Sequence, residues 1–127
     1  MAKRILLVED DRFLRRAHEV GLRKHGFTVL TAIDGEDGLR QARAERPDLV
    51  LLDLVMPKLQ GFEVLRMLKA EPETAAIPVI VLSSLGGDAD VQAAIRAGAA
   101  SYIVKTAVAM PELLAKVEAA LTASPRP

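Results

Sequence analysis

A run of apolar residues that ends in one carboxylate lies near the middle of the chain, at residues 49–57, and its sequence is LVLLDLVMP. Residues 49–52 show no polar alternation, which predicts a strand buried on both faces, as in a parallel sheet. Pro57 stops the chain from continuing as a strand. Asp53 is therefore predicted at the carboxyl end of a central strand, where open α/β sheets bind ligands. By itself, however, an Asp at this point is equally well explained as a turn former.

Strand-like and helix-like segments alternate along the whole chain. Four further apolar runs predict strands at residues 5–8, 27–32, 78–82 and 102–104. A segment with helical periodicity follows each strand, and in the first of these segments Phe13, Ala17 and Val20 recur at i, i+4 and i+7. Five such alternations predict an α/β fold with right-handed crossovers, in which helices cover both faces of a five-stranded parallel sheet.

Capping residues set the expected helix boundaries. Gly26 suits the position just after the first helix, Asp88 suits the N-cap of the fourth, and Pro111 suits the first position of the fifth. The expected inward stripe of the last helix consists of five apolar residues, Leu113, Leu114, Val117, Ala120 and Leu121.

Composition excludes several classes of function. The length of 127 residues predicts one domain, at residues 1–123, with a disordered tail at 124–127. Seventeen basic and 17 acidic residues cancel, so neither nucleic acid nor a membrane surface is an expected partner. The absence of cysteine excludes a disulfide scaffold, a thiolate metal site and a cysteine nucleophile. The first apolar run is too short for a signal peptide or a membrane span, which predicts a cytoplasmic protein.

Polar groups follow four of the five predicted strands, namely Glu9 and Asp10, Asp53, Ser83 and Lys105. If the strand order is 2-1-3-4-5, these groups converge at one edge of the sheet. Carboxylates packed this closely repel one another unless a cation intervenes, and an all-oxygen ligand set favours Mg²⁺. Such a site suits a phosphoryl group, for which Asp can be the covalent acceptor.

Each of these residues also has a simpler explanation. Acidic pairs after a strand often only favour the dipole of the next helix, a serine there is commonly a cap, and a lone lysine is usually solvated. Taken singly, the simpler explanation is the more probable one for each residue. That all four strand ends are unrelated to function is much less probable.

These motifs resemble the receiver domain of two-component response regulators, and the resemblance covers about residues 3–122. It rests on Val8-Glu9-Asp10-Asp11, on Asp53 followed by Leu-Val-Met-Pro and Gly61, and on Ser83, Tyr102 and Lys105 at later strand ends. The resemblance implies a flavodoxin-like, doubly wound sheet of order 2-1-3-4-5. It also implies that the chain is a regulatory phosphoacceptor rather than an enzyme with a small-molecule substrate.

The resemblance also implies a role for each site residue. Asp53 would accept a phosphoryl group from a histidine kinase or histidine phosphotransfer protein. Mg²⁺ would be held by Asp10, Asp53 and the backbone carbonyl of Val55, and by Glu9 through water. Lys105 would contact the phosphoryl oxygens. Ser83 and Tyr102 would form the switch that remodels the surface of the fourth helix, fifth strand and fifth helix, although simple core packing also explains a lone tyrosine.

The chain departs from the family pattern at several positions. Thr106 follows Lys105 where the family usually has a proline after a cis bond, and a cis bond before a non-proline residue costs about 3 kcal/mol. Ser84 replaces a more usual alanine and would narrow access to the acceptor. Val55 and Leu85 are apolar at positions that tune hydrolysis in the family, which predicts a long-lived phosphoryl group.

Other functions remain open at this point. A pseudo-receiver would bind partners without phosphorylation. An aspartyl phosphohydrolase would need a second acid at Val55, and a dinucleotide-binding enzyme would need glycines where Glu9, Asp10 and Asp11 stand. The downstream partner is either a separate target protein or a missing output domain. A monomer is expected, because the last helix has few charges for a salt-bridged dimer face.

Overall fold

Strands and helices alternate along the chain. The structure is a computed structural model that describes residues 2–54, 60–84, 86–105 and 109–123. The strands are β1 (Arg4–Val8), β2 (Thr28–Ala32), β3 (Leu49–Leu52), β4 (Val79–Ser83) and β5 (Ser101–Val104). The helices are α1 (Arg12–Lys24), α2 (Gly35–Glu45), α3 (Gly61–Ala70), α4 (Asp88–Arg96) and α5 (Met110–Ala123). The predicted tail at 124–127 lies outside the described residues.

The five strands form one parallel sheet in the order β2-β1-β3-β4-β5. The predicted fold class and strand order are therefore confirmed. In this order β1 and β3 are neighbours, and Val8 lies opposite Leu52 at their carboxyl ends. The residues that follow these two strands, Glu9 and Asp53, are thus brought side by side.

Alternate residues of each strand pack on opposite faces of the sheet, as the strand period of two requires. In β1, Ile5 and Leu7 join the core beneath α1 and α5, whereas Leu6 and Val8 join the core beneath the other three helices. All four residues of β3 are fully buried, which agrees with the unbroken apolar run at 49–52. In the part of the chain that is described, no helix is long and apolar enough to cross a bilayer.

The inward face of α1 differs from the sequence prediction. Phe13 is 85 % exposed and Val20 is 40 % exposed, whereas Leu22 is fully buried and Leu14 and His18 are half-buried. Two stripes of residues at helical spacing lie next to each other on α1. The outward stripe contains Phe13, Ala17 and Val20, and the inward stripe contains Leu14, His18, Gly21 and Leu22. Because that inward stripe is the less apolar of the two in sequence, the periodicity indicated the wrong face.

Two predicted helix starts also need correction. Gly87, not Asp88, is the N-cap of α4, and Asp88 lies within the first turn, where its charge favours the helix dipole. The last helix begins at Met110, one residue before Pro111. Its predicted inward stripe is confirmed, since Leu113 and Val117 are buried and the other three residues pack against the same core. Gly26 follows α1 with a φ of 101°, as a residue that ends a helix requires.

Candidate functional site

Backbone pairing continues past the strand ends and fixes the polar residues along one edge of the sheet. The amide of Asp53 donates to the carbonyl of Val8 at 3.1 Å, and the amide of Glu9 donates to the carbonyl of Ala32 at 3.0 Å. The amide of Lys105 donates to the carbonyl of Ser83 at 2.8 Å. These bonds set the position of each side chain by the register of the sheet rather than by a loop.

The carboxylates of Glu9, Asp10 and Asp53 form one cluster, in which one oxygen of each lies within 4.8 Å of the others. Glu9 and Asp53 are buried, whereas Asp10 is exposed. Oxygen donors alone, at this separation and with one side open to water, suit a hard divalent cation that keeps part of its hydration shell. The residues present therefore fit a metal ion of that kind.

Lys105 reaches into the carboxylate cluster from β5. Its Nζ lies 2.9 Å from Oδ2 of Asp53 and 2.6 Å from Oε1 of Glu9, and its side chain is 10 % exposed. Burial alone would lower the pKa of Lys105, but the hydrogen bonds and charges of Glu9 and Asp53 outweigh that effect and raise the pKa. The ammonium thus stays charged and bridges the two buried carboxylates.

Glu9 is the carboxylate most affected by burial. Desolvation raises the pKa of Glu9 to about 7, although the ammonium of Lys105 and the backbone amide of Asp11 both oppose the shift. Without a metal ion, burial therefore keeps a proton on Glu9 at pH values at which an exposed glutamate is already ionised. A divalent cation beside the cluster would favour the ionised form, so metal binding and proton release are coupled here.

Arg15 and Asp11 hold the turn that carries the two leading acids. Nη1 of Arg15 donates to the carbonyls of Glu9 at 2.9 Å and Asp10 at 3.3 Å. Oδ1 of Asp11 accepts from the amides of Phe13 and Leu14, so Asp11 is the N-cap of α1. In the sequence, Asp11 was only one member of the acidic run after the first strand, and nothing pointed to Arg15. The one signal for the cap was an Asp directly before a helical segment.

Gly61 lies against the backbone of Asp53 and Leu54. A Cβ placed on Gly61 would stand 2.2 Å from the carbonyl oxygen of Asp53 and 2.5 Å from Cα of Leu54. The amide of Gly61 donates to the carbonyl of Leu54 at 3.0 Å. Only a residue without a side chain permits this approach, which ties the start of α3 to the end of β3.

Ser83 and Tyr102 lie on adjacent strands at the other side of the cluster. Ser83 is fully buried at the end of β4, and the Tyr102 side chain is hydrogen-bonded to it. Burial raises the pKa of the Tyr102 hydroxyl, and the charges of Asp90 on α4 and of Asp53 act in the same direction. The hydroxyl of Ser83 is thus linked to β5, and the charge of Asp90 on α4 is close enough to act on Tyr102.

His18 was missed by the sequence analysis. It lies on the inward face of α1, where its Nδ1 is buried and has no hydrogen-bond partner in the described part of the chain. Burial, followed by the nearby charge of Lys105, lowers the pKa of His18 and keeps it neutral. A histidine within an otherwise apolar helix face could have been noticed only once that face was known.

Several predicted features fall outside the described residues. These are the carbonyl of Val55, the apolar position at Leu85 and the peptide bond between Lys105 and Thr106. Ser84 is described, and it is exposed directly after β4.

Comparison with known proteins shows the same organisation. Residues 5–118 match the family model of the response regulator receiver domain. A putative response regulator from Chloroflexus aurantiacus superposes with a TM-score of 0.91 at 28 % identity over 96 % of this chain and 99 % of that one. The BeF3-activated receiver domain of Klebsiella pneumoniae RstA superposes with a TM-score of 0.86 at 30 % identity over 93 % and 97 % of the two chains.

Curated relatives fall into two length classes. The transcriptional regulatory protein PrrA of Mycobacterium tuberculosis is 43 % identical over 118 residues, which are 93 % of this chain and 49 % of PrrA. Protein PilH of Pseudomonas aeruginosa is 43 % identical over 102 residues, which are 80 % of this chain and 84 % of PilH. The chain thus spans about half the length of transcriptional regulators such as PrrA. With the family model, the fold and these identities in agreement, the chain belongs to the receiver domains of two-component response regulators.

Proposed function

We propose that Asp53 is the phosphoacceptor of this receiver domain and that the donor is a phosphohistidine on a histidine kinase or a histidine phosphotransfer protein. The observation that carries the proposal is the ammonium of Lys105 bridging Glu9 and Asp53 inside a cluster of three carboxylates. Opposite charges gathered around one carboxylate suit a reaction in which a highly charged group arrives and must be neutralised.

In the proposed reaction, a carboxylate oxygen of Asp53 attacks phosphorus in line with the bond to the donor imidazole. The new P–O bond forms as the P–N bond breaks, and the imidazole nitrogen leaves with the electron pair and takes a proton from water. Lys105, already 2.9 Å from Oδ2 of Asp53, neutralises charge on the incoming oxygens. The backbone pairing of Asp53 and Lys105 holds the two groups in place throughout.

Mg²⁺ is the proposed metal, and it would neutralise charge on the phosphoryl oxygens when bound. Asp10 and Asp53 would hold it directly, Glu9 through a water molecule, and the carbonyl of Val55 would complete the protein ligands. Glu9 and Asp10 are well placed for this, because Arg15 fixes the backbone of both residues.

The proposed switch starts from the hydrogen bond between Ser83 and Tyr102. A phosphoryl group on Asp53 would compete for the serine hydroxyl, so Tyr102 would lose this partner and move. Asp90 on α4 lies close enough to influence Tyr102 electrostatically, which links that movement to the surface of α4, β5 and α5. A downstream target protein or an output domain would recognise the altered surface.

The proposed phosphoryl group is long-lived, because neither Val55 nor Leu85 has a polar group to position an attacking water. The reaction is proposed for the cytoplasm, and a monomer is the proposed state. Loss of label from the phosphorylated protein measures the lifetime. Decay as rapid as in fast chemotaxis-type receivers would contradict this proposal.

Beryllofluoride binding in the presence of Mg²⁺ tests the proposed acceptor. The structurally similar receiver domains of RstA and DrrB are BeF3-activated. The wild-type protein should show amide chemical-shift changes at residues 83 and 102 on addition of beryllofluoride and Mg²⁺, and Asp53→Asn should show none. Asp11→Asn, which keeps a capping side chain and leaves the cluster intact, should respond like the wild type. A wild-type protein that does not respond would instead favour the pseudo-receiver.

A further inference from the structure

Strand β2 forms one edge of the sheet, and among the described strands only β1 pairs with it. The amide of Thr28 and the carbonyl of Ala32 form hydrogen bonds on the side of β1, at 2.9 and 3.0 Å. The backbone groups of a strand point alternately to its two sides, so those of Val29 and Thr31 point outward. An outward row of this kind is a template on which another strand can pair.

The sequence of β2 itself offers little protection against such pairing. Its five residues, Thr-Val-Leu-Thr-Ala, include two threonines and a valine, which favour strands, and they include no charged residue and no proline. Charged side chains and prolines are common means by which edge strands avoid pairing with other chains. Protection of this edge therefore has to come from residues outside the strand.

Side chains from two helices bind the two outward carbonyls of β2. Nη2 of Arg23, on α1, donates to the carbonyl of Val29 at 3.0 Å. Nε2 of Gln41, on α2, donates to the carbonyl of Thr31 at 2.7 Å. Because α1 packs on one face of the sheet and α2 on the other, these side chains reach the edge from opposite sides. A second strand would have to compete with both of them for its acceptors.

An acidic residue one turn earlier in the same helix holds each of these two side chains. Oε2 of Glu19 accepts from Nε of Arg23 at 3.0 Å, and Oδ2 of Asp37 accepts from Nε2 of Gln41 at 3.2 Å. Both pairs have i, i+4 spacing, at which side chains of a helix are neighbours. Because the acid restricts the rotamers of its partner, less entropy is lost when that partner binds the strand. The same arrangement thus occurs on two helices and serves one strand.

We propose that Arg23 and Gln41, the edge clamp, keep β2 from pairing with the β2 strand of a second copy of the chain. Two β2 strands that run antiparallel about a two-fold axis would offer each other outward amides and carbonyls. Neither strand carries a charge, so the two copies would not repel each other along this edge. The edge clamp occupies the acceptors that this pairing needs in both copies. The inference does not depend on the proposed phosphoacceptor.

Self-association of a variant without the edge clamp tests the inference. Analytical ultracentrifugation over a range of protein concentrations measures the dimer dissociation constant of the wild type and of the double variant Arg23→Ala, Gln41→Ala. The wild type should stay monomeric, and the double variant should dimerise at least about tenfold more tightly, because strand pairing no longer has to displace a hydrogen bond at each outward carbonyl.

A proline at residue 31 shows whether the new dimer forms through β2. Thr31→Pro removes an outward amide that pairing with β1 does not use, so the domain should fold, but a strand can no longer pair there. Added to the double variant, Thr31→Pro should restore the monomer. Hydrogen exchange gives a second measurement that needs no proline. In the double variant, exchange at the amides of Val29 and Thr31 should slow as the protein concentration rises.

The matched control is the double variant Arg66→Ala, Gln92→Ala, which removes an exposed arginine and an exposed glutamine from α3 and α4. It should stay monomeric, and equal self-association of this control would overturn the inference. A double variant of the edge clamp that stays monomeric would also overturn it, as would a wild type that already pairs through β2. A dimer that forms without slower exchange at residues 29 and 31 would place the contact on another surface and refute the role of the edge clamp.

Discussion

Replacing Glu9 by Gln should remove a pH dependence from the stability of the metal-free protein. Glu9 has its pKa raised from 4.5 to about 7, chiefly by burial. Between these values the folded protein keeps a proton that the unfolded chain has lost, so stability is greater at low pH and is lost as the pH rises to about 7. From pH 5.5 to pH 8 this linkage amounts to about 2 kcal/mol.

Urea unfolding in the presence of a chelator at pH 5.5 and pH 8 measures the effect. The free energy of unfolding of Glu9→Gln, relative to the wild type, should rise by about 2 kcal/mol between the two pH values. Glu112→Gln, which changes an exposed carboxylate in the first turn of α5, is the matched control and should show no such rise. If Glu9→Gln and the wild type change in parallel with pH, the raised pKa of Glu9 and the reasoning from its burial are wrong.

Three further substitutions probe contacts around the site and the core. Gly61→Ala forces a Cβ against the backbone of Asp53, so it should destabilise the protein by about 1–3 kcal/mol and abolish beryllofluoride binding, as measured by urea unfolding and by NMR. Wild-type binding in Gly61→Ala would show that the backbone can shift at no cost. Lys105→Ala leaves two buried carboxylates without their ammonium and should cost about 3 kcal/mol in chelator at pH 8, with part of the loss restored by added Mg²⁺; no restoration would argue against a metal in this cluster. Thr74→Val removes the bond from Oγ1 to the carbonyl of Leu68 and should cost about 1–3 kcal/mol without altering labelling of Asp53 by acetyl phosphate.

The sheet was predictable because its signals are strong and local. The unbroken apolar run of β3 ends in a single carboxylate, and apolar runs that alternate with segments of 3.6-residue periodicity predict the order of the elements. Parallel pairing then brings Glu9, Asp53 and Lys105 together by topology alone, whatever the loops do.

What the sequence did not predict depends on how each helix is rotated about its own axis. The stripe that contains Phe13 and the stripe that contains Leu22 both have helical spacing. They differ by a rotation of α1 of about 100° about its axis. Since His18 and Arg15 acquire their roles only from that rotation, neither could be assigned from its neighbours in sequence. Asp11 was likewise ambiguous, because an Asp after a strand serves equally as a ligand or as a helix cap.

The ion pairs of Lys105 with Glu9 and Asp53 affect the stability of the domain when metal ions are scarce. An ammonium held directly after β5 serves as a permanent counter-ion, so the buried carboxyl groups of Glu9 and Asp53 keep a positively charged partner whenever the dissolved cation is scarce. The domain should therefore stay folded during purification in chelator, and it should bind a divalent cation again when one is added. The metal ion would then be needed for the proposed phosphotransfer but not for the fold.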